Sequence, residues 1–164
     1  MLKLNDREWK RFCIGEVFNI SNGKRLESFN MEKGSRPFVG ASDSNNGITG
    51  FVKNENSSLD HNVLGINYNG SVCEAFYHPY ECLFSDDVKR LHLQNYEDNE
   101  EILLFFAGTI VQQKVKYIYS YKFNSHRMNR QTILLPVTST GEPDYAFMEQ
   151  YSKNILTALT SRRK

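Results

Sequence analysis

The strongest constraint on the fold is a change of pattern near residue 98. Before it, β-prone apolar runs are short and each is closed by turn formers; after it, the apolar spacing becomes helical. Residues 9–14 read as a short strand, and 15–20 as a helical turn or another strand. Residues 36–40 and 48–52 are β-prone. Between them lies Ala41-Ser42-Asp43-Ser44-Asn45-Asn46-Gly47, which is dense in turn formers. This pattern predicts a hairpin with a long loop. Residues 63–68, 72–77, 81–85 and 89–93 extend the β series, and Asn69-Gly70 signals a tight turn between the first two.

Beyond residue 98, Asp98-Asn99-Glu100-Glu101 stands before Ile102-Leu103-Leu104-Phe105-Phe106-Ala107. Acidic and capping residues suit a helix N-terminus, so a buried helix is expected over about 100–115, capped by Asp98 or Asn99. Residues 117–124 suit a strand or an extended segment, and 131–137 another strand, ended by a turn at 139–142. A last helix should start at Pro143-Asp144. Its apolar positions Met148, Tyr151, Ile155, Leu156 and Leu159 recur at helical spacing, and Arg162-Arg163-Lys164 suit its C-terminus. The expected class is α+β: a mixed, largely antiparallel sheet or partial barrel with one buried helix and a closing C-terminal helix.

The 164 residues suit one domain with its own core. Apolar residues make up 40% and charged residues 24%, which excludes whole-chain disorder. Cys13, Cys73 and Cys82 are too few and too scattered for a disulfide framework; a reducing cytoplasm fits. His61, His78, His92 and His126 form no zinc-ligand pattern. The first ten residues are polar, unlike a signal peptide, and the apolar run 102–107 is far too short to span a bilayer.

A net charge of +1 argues against nucleic acid until it is divided along the chain. Residues 1–53 hold nine Lys/Arg against six Asp/Glu, 54–101 two against ten, 102–141 five against none, and 142–164 four against three. The segments therefore carry +3, −8, +5 and +1. One basic and one acidic face are possible, and a basic face can follow a phosphate backbone. Folding that intermixes the segments would cancel the patch. The acidic stretch 54–101 is expected to turn away from the basic loops or towards a partner.

Enzyme signatures are missing. There is no GxxxxGK[ST], no GxGxxG and no GxSxG. The cysteines sit in apolar, β-prone surroundings that suit core packing. Asp87-Val88-Lys89 has the D-x-K spacing of a metal-dependent nuclease, with Glu74 or Glu81 as a further acid. A solvated strand end explains the same residues. Groups able to read DNA are more abundant. Sixteen asparagines cluster in expected loops, as at Asn45-Asn46 and Asn67-Tyr68-Asn69. Asparagine can pair bidentately with adenine, and Arg or Lys with guanine. Lys24-Arg25 follows a turn at Asn22-Gly23, and His126-Arg127-Met128-Asn129-Arg130 is expected as a polar loop. Asparagine also populates turns for its backbone tolerance alone. Tyr117, Tyr119 and Tyr121 alternate, as either a stacking stripe or one packed strand face.

Several ordered blocks together resemble a known family. Trp9, then Ile14-Gly15-Glu16-Val17-Phe18-Asn19-Ile20 and Gly23-Lys24-Arg25-Leu26, are similar to the opening of the target-recognition domain of type I restriction–modification specificity subunits. Pro37 to Ser42 and Asn45 to Val52 resemble the next block. Asn69-Gly70-Ser71-Val72, Phe76-Tyr77-His78-Pro79 and Phe84 to Val88 resemble its central strands. Ile133 to Val137 and the following helix resemble the closing strand and the start of the spacer helix. Specificity chains of type IIB and IIG systems share these blocks.

The resemblance implies a non-catalytic module that reads a short double-stranded DNA half-site. A partner methyltransferase would carry S-adenosylmethionine, a restriction subunit would cleave, and the chain itself would hold no cofactor or metal. Residues 1–143 would be the recognition domain and 144–164 the start of a spacer or dimerisation helix. Expected DNA contacts are Lys24, Arg25, Ser42, Ser44, Asn45, Asn46, Asn67, Tyr68, Asn69, Arg127, Asn129 and Arg130, with Met148, Tyr151, Ile155 and Leu159 as a partner face. A full subunit of the family has two such domains. The chain is thus expected as a half-subunit that dimerises on a two-part site, one chain of a larger assembly, or a truncated piece. The alternatives from other classes are a small nuclease using Asp87 and Lys89, and a protein–protein adaptor.

Overall fold

The computed structural model describes residues 2–117 and 123–162. Tyr119, Tyr121 and most of the expected 117–124 segment lie outside them, as do Arg163 and Lys164. The elements are β1 (Glu8–Cys13), α1 (Ile14–Val17), β2 (Phe18–Asn22), β3 (Lys33–Val39), β4 (Ile48–Val52), β5 (Val63–Asn67), β6 (Ala75–His78), β7 (Leu83–Phe84), β8 (Val88–Leu93), α2 (Glu100–Val111), α3 (Ser125–Arg130), β9 (Thr132–Val137) and α4 (Tyr145–Ser161). The strands form three sheets, β1-β9, β2-β8-β5-β6 and β4-β3-β7. Every pairing is antiparallel except the two-residue contact of β3 with β7. The α+β class expected from the sequence is observed, as open sheets without a closed barrel.

The ambiguous segment 15–20 is both things in turn. Cys13 N–H donates to Glu16 Oε2 at 2.6 Å and folds the single turn α1; the chain then straightens into β2. The hairpin with a long loop forms between β3 and β4. The tight turn at Asn69-Gly70 does not form. Residues 68–74 join β5 to β6, with Gly70, Ser71 and Cys73 all at positive φ. Cys73 N–H closes this wider loop on Asn67 O at 2.9 Å, and burial pushes the Cys73 thiol up to about 12. Both outcomes share a cause: cross-strand pairing and burial, which are not local, decide where a strand stops.

Asn99 is the cap of α2, accepting from Ile102 N–H at 3.0 Å. Asp98 instead accepts from Leu93 N–H and pairs with His92 Nδ1 at 2.7 Å. The expected helix over 100–115 ends at Val111 and tightens into a 3-10 stretch, Gln112–Tyr117. Ile102, Leu103, Phe106, Ala107 and Ile110 press its inner face onto the four-stranded sheet, with Phe106 edge-on to Phe18 at 4.8 Å. Burying a side chain such as Phe106 contributes roughly 2–3 kcal/mol. Asp144 caps α4, accepting from Phe147 N–H at 3.0 Å. The first half of α4 packs on α2 and buries Phe147, Met148 and Ser152.

Candidate nucleic-acid interface

Strand register sets which loops meet. Asn22 at the end of β2 pairs with Lys89 near the start of β8, and Val88 pairs with Asn67 at the end of β5. The chain segments leaving these strands therefore emerge at one end of the four-stranded sheet. A Cβ at Gly23 would lie 1.8 Å from Ser85 O, so only glycine lets the chain cross the 85–87 turn there. Gly23 N–H and Lys24 N–H donate to Val88 O and Phe84 O, and the Lys24 and Arg25 side chains are left exposed. Arg25 is bonded to Glu27 at 2.5 Å and lies 3.9 Å from Asp86.

Beside this exit lies the 40–47 loop. Asn45, Asn46 and Gly47 occupy the left-handed region in succession, at φ of 52°, 55° and 74°. Ser42 and Ser44 share a hydroxyl contact of 3.1 Å, and Ser44 and Asn45 are exposed. Asn46 turns inward, its Nδ2 donating to Tyr77 O at 3.0 Å and to Tyr80 Oη at 2.9 Å. Asn67 is also committed inward. Only 1% exposed, it donates to Ser42 O at 2.9 Å and to Ser71 O at 3.3 Å. It thereby joins the two asparagine-rich loops. Asn69 donates to Asp87 Oδ1 at 2.7 Å. Tyr68 is half-buried beneath Lys89, whose Nζ stands 4.2 Å from the ring centroid and donates to Asn22 Oδ1 at 2.7 Å. Burial lowers the Lys89 pKa from its ordinary value.

The fourth expected segment is not a loop. Arg127, Asn129 and Arg130 stand on α3, whose cap Asn124 accepts from Arg127 N–H at 3.0 Å. Asn129 Nδ2 donates back to Ser125 O, the ordinary i−4 contact of a helix. The approach to α3 passes the interface, since Phe123 N–H donates to Tyr68 O. The helix then packs on α1, where a Cβ at Gly15 would meet Asn129 Oδ1 at 2.4 Å. α1 precedes β2 whereas Lys24 and Arg25 follow it, so Asn129 and Arg130 stand at the far end of that strand. Three expected segments meet; the fourth stands apart.

The acidic stretch does not turn away as a block. Asp86 and Asp87 sit among the basic loops, against Arg25 and Asn69. Glu74 pairs with Lys114. Glu55 and Glu81 pair with Arg36, and Asp60 with Arg90 and His92. Antiparallel pairing threads the acidic segment between basic ones, so charge along the chain is not charge in space. The D-x-K residues are engaged by Asn69 and Asn22 rather than aimed at a common point, and the described residues hold no group of three or more His, Cys, Asp or Glu suited to a metal. On α4 the expected partner face divides. Met148 is fully buried in the chain's own core and Tyr151 packs on Phe105 and Phe147, whereas Ile155 and Leu159 are 40% and 53% exposed.

Asn22, His78, Tyr80 and Lys89 support this surface and were not singled out for it from the sequence. Strand pairing brings Asn22 and Lys89 to it, although the local motifs around Asn22, His78 and Lys89 point instead to a turn, a central strand and nuclease chemistry. The result is a polar display surface: an α+β scaffold presents Lys, Ser and Asn side chains from loops fixed by buried amides. Residues 6–164 match the model of the type I restriction modification DNA specificity domain, and the chain belongs to that family. It is 55% identical over 159 residues to the type II restriction enzyme BgcI specificity subunit S.BcgI of Heyndrickxia coagulans, covering 97% of this chain and 47% of that one. The chain thus spans about half the length of this curated relative. The fold matches the type I restriction-modification S subunit from M. genitalium at a TM-score of 0.63 and 21% identity, over 98% of this chain and 44% of that one. It also matches the HsdS subunit from Thermoanaerobacter tengcongensis at a TM-score of 0.64 and 14% identity, over 93% and 38%. No helix among the described residues is long and apolar enough to cross a membrane.

Proposed function

We propose that this chain recognises a short double-stranded DNA sequence and directs a restriction–modification complex to it. The observation that carries the proposal is a pair of exposed loop segments, Lys24-Arg25 and Ser44-Asn45, the second held by the inward-bonded Asn46 and Asn67, within a DNA specificity domain. Lys24 and Arg25 anchor phosphates, while Ser44 and Asn45 reach base edges; phosphate contacts position the protein and base contacts specify the sequence. Arg127, Asn129 and Arg130 add a second, separate contact. Tyr68, Asn69 and Ser42 shape the loops between them.

Residues 1–143 serve as the recognition domain and α4 begins the spacer. The chain itself is not catalytic. Its partners are a methyltransferase using S-adenosylmethionine and a restriction subunit, acting in the cytoplasm. The exposed second half of α4, with Ile155 and Leu159, meets a partner helix or a second copy of the chain. The test is selection from random duplexes with the full chain, alone and with its cognate methyltransferase. Enrichment of one sequence is expected; enrichment of none in either case overturns the proposal. The mass in solution, for wild type and for Ile155→Asp with Leu159→Asp, distinguishes a self-pairing helix from one kept for another chain.

A further inference from the structure

The 40–47 loop adopts a costly conformation. Asn45 and Asn46 both lie in the left-handed region, which non-glycine residues visit rarely and singly, and which persists when surrounding structure over-determines it. That surrounding structure is a chain of hydrogen bonds ending in a buried histidine. The two Nδ2 hydrogens of Asn46 go to Tyr77 O and Tyr80 Oη. Tyr80 Oη stands 3.3 Å from His78 Nδ1 and can donate to it in turn. His78 is 0% exposed, and its Nε2 has no partner among the described residues.

The ring sits edge-on to Phe84 at 5.3 Å, and a Cβ on Gly65 would come within 3.0 Å of Nε2, so the sheet leaves a slot shaped for this ring. A buried polar atom without a partner is uncommon and calls for an account. Packing alone would favour an apolar ring here. The other nitrogen supplies the account, because Nδ1 is the acceptor that orients Tyr80 towards Asn46. Burial lowers the His78 pKa to about 4, so the ring is neutral at pH 7, and the tautomer with its proton on Nε2 leaves Nδ1 free to accept from Tyr80 Oη.

We propose that His78 and Tyr80 are positioning residues for sequence readout: through Asn46 they hold the 43–45 tip in one conformation, so that Ser44 and Asn45 meet DNA without reordering. Asn46 is then part of the support, since both of its N–H groups are already used and a bidentate contact to adenine needs one of them. The loop is clamped at its other end by Asn67 on Ser42 O. A rigid loop discriminates better than a mobile one, because ordering on binding subtracts from the contact energy. This inference rests on the DNA-recognition reading above.

The test uses two mild variants in the full chain. Tyr80→Phe removes the relaying hydroxyl and keeps the ring. Asn46→Gly keeps the left-handed backbone and removes the clasp. Hydrogen exchange at the amides of residues 43–47 reads the clasp without DNA, and duplex selection with the cognate methyltransferase reads selectivity. Exchange confined to this loop should accelerate in both variants, and preference for the selected sequence over random duplex should fall about tenfold, while binding to random duplex stays unchanged. Unchanged loop exchange in both variants overturns the clasp, whatever the DNA result. Faster exchange with full selectivity overturns its role in readout. A wild-type chain that selects no sequence overturns the underlying reading instead, and the exchange data keep the two failures apart.

Discussion

The two asparagine-rich loops at the end of the four-stranded sheet use the same residue type in opposite ways. In the 67–71 loop, Asn67 and Asn69 spend their amides on Ser42 O, Ser71 O and Asp87. In the 42–46 loop, Asn46 is spent inward while Asn45 is displayed. Both loops need positive φ: Asn45, Asn46 and Gly47 supply it in one, and Gly70 and Ser71 in the other, where the asparagines serve only as hydrogen-bond donors. Composition therefore marks where such loops are, but not which amide stays free for a ligand. Burial decides that. α4 divides in the same way, with Met148 in the core and Leu159 in solvent three turns further along the same face.

The comparison breaks most visibly on stability. Met148→Ala, which opens a cavity in the core, should cost about 2–5 kcal/mol in urea unfolding, whereas Leu159→Ala should stay within about 0.5 kcal/mol. Asn67→Ala strands Ser42 O and should cost about 1–3 kcal/mol; Asn45→Gly, which keeps the left-handed backbone, should cost less than about 0.5 kcal/mol. Equal losses at Asn67 and Asn45 would erase the distinction drawn between the loops. In duplex binding the order reverses at the displayed residue. Asn45→Gly should cost about 1–3 kcal/mol at one base position and leave the other positions alone.

A pH titration sharpens the contrast between scaffold and display surface. His92 lies between Asp60 and Asp98, at 3.0 Å and 2.7 Å. The hydrogen bond it donates to Asp60, then the one it donates to Asp98, raises its pKa from 6.5 to about 9. A raised folded-state pKa stabilises the fold fully below the unfolded value, and that stabilisation is lost as pH rises through about 9. The melting temperature should therefore decline between about pH 6.5 and 9, and His92→Gln should flatten that limb. Asp60 also holds Arg90 at 2.9 Å, so the variant keeps one anchor of this knot.

Most of the fold was legible because it is written in local periodicity. The hairpin, the capped and buried α2, β9 and the Asp144 cap follow from patterns within a few residues of one another. The missed features depend on distant partners. The β5–β6 loop widens because Cys73 must be buried, and 125–130 winds into a helix because Asn124 caps it against α1. The candidate site was legible as a set of loops and opaque as a set of contacts. Lys24, Arg25, Ser44 and Asn45 lie exposed in loop segments, as the turn signals suggest. Asn46 and Asn67 carry the same letter as Asn45, yet their amides are bonded inward, and the carboxylates expected elsewhere stand beside Arg25.

The smallest expected effect separates two adjacent cations. Lys24 is exposed, while Arg25 already touches Glu27 and faces Asp86. A phosphate contact by Lys24 releases a counterion and breaks no ion pair. Arg25 must first give up Glu27, an exposed pair weakened by solvent screening. Lys24→Ala should therefore weaken all duplexes alike and lower the slope of log affinity against log salt by about 1. Arg25→Ala should change the slope less, and Arg25→Ala combined with Glu27→Ala should differ little from Arg25→Ala alone. A larger slope change at Arg25 than at Lys24 would mean that DNA displaces Glu27 outright. The carboxylates at this end of the sheet would then be acting as a gate on non-specific binding rather than as a neutral rim.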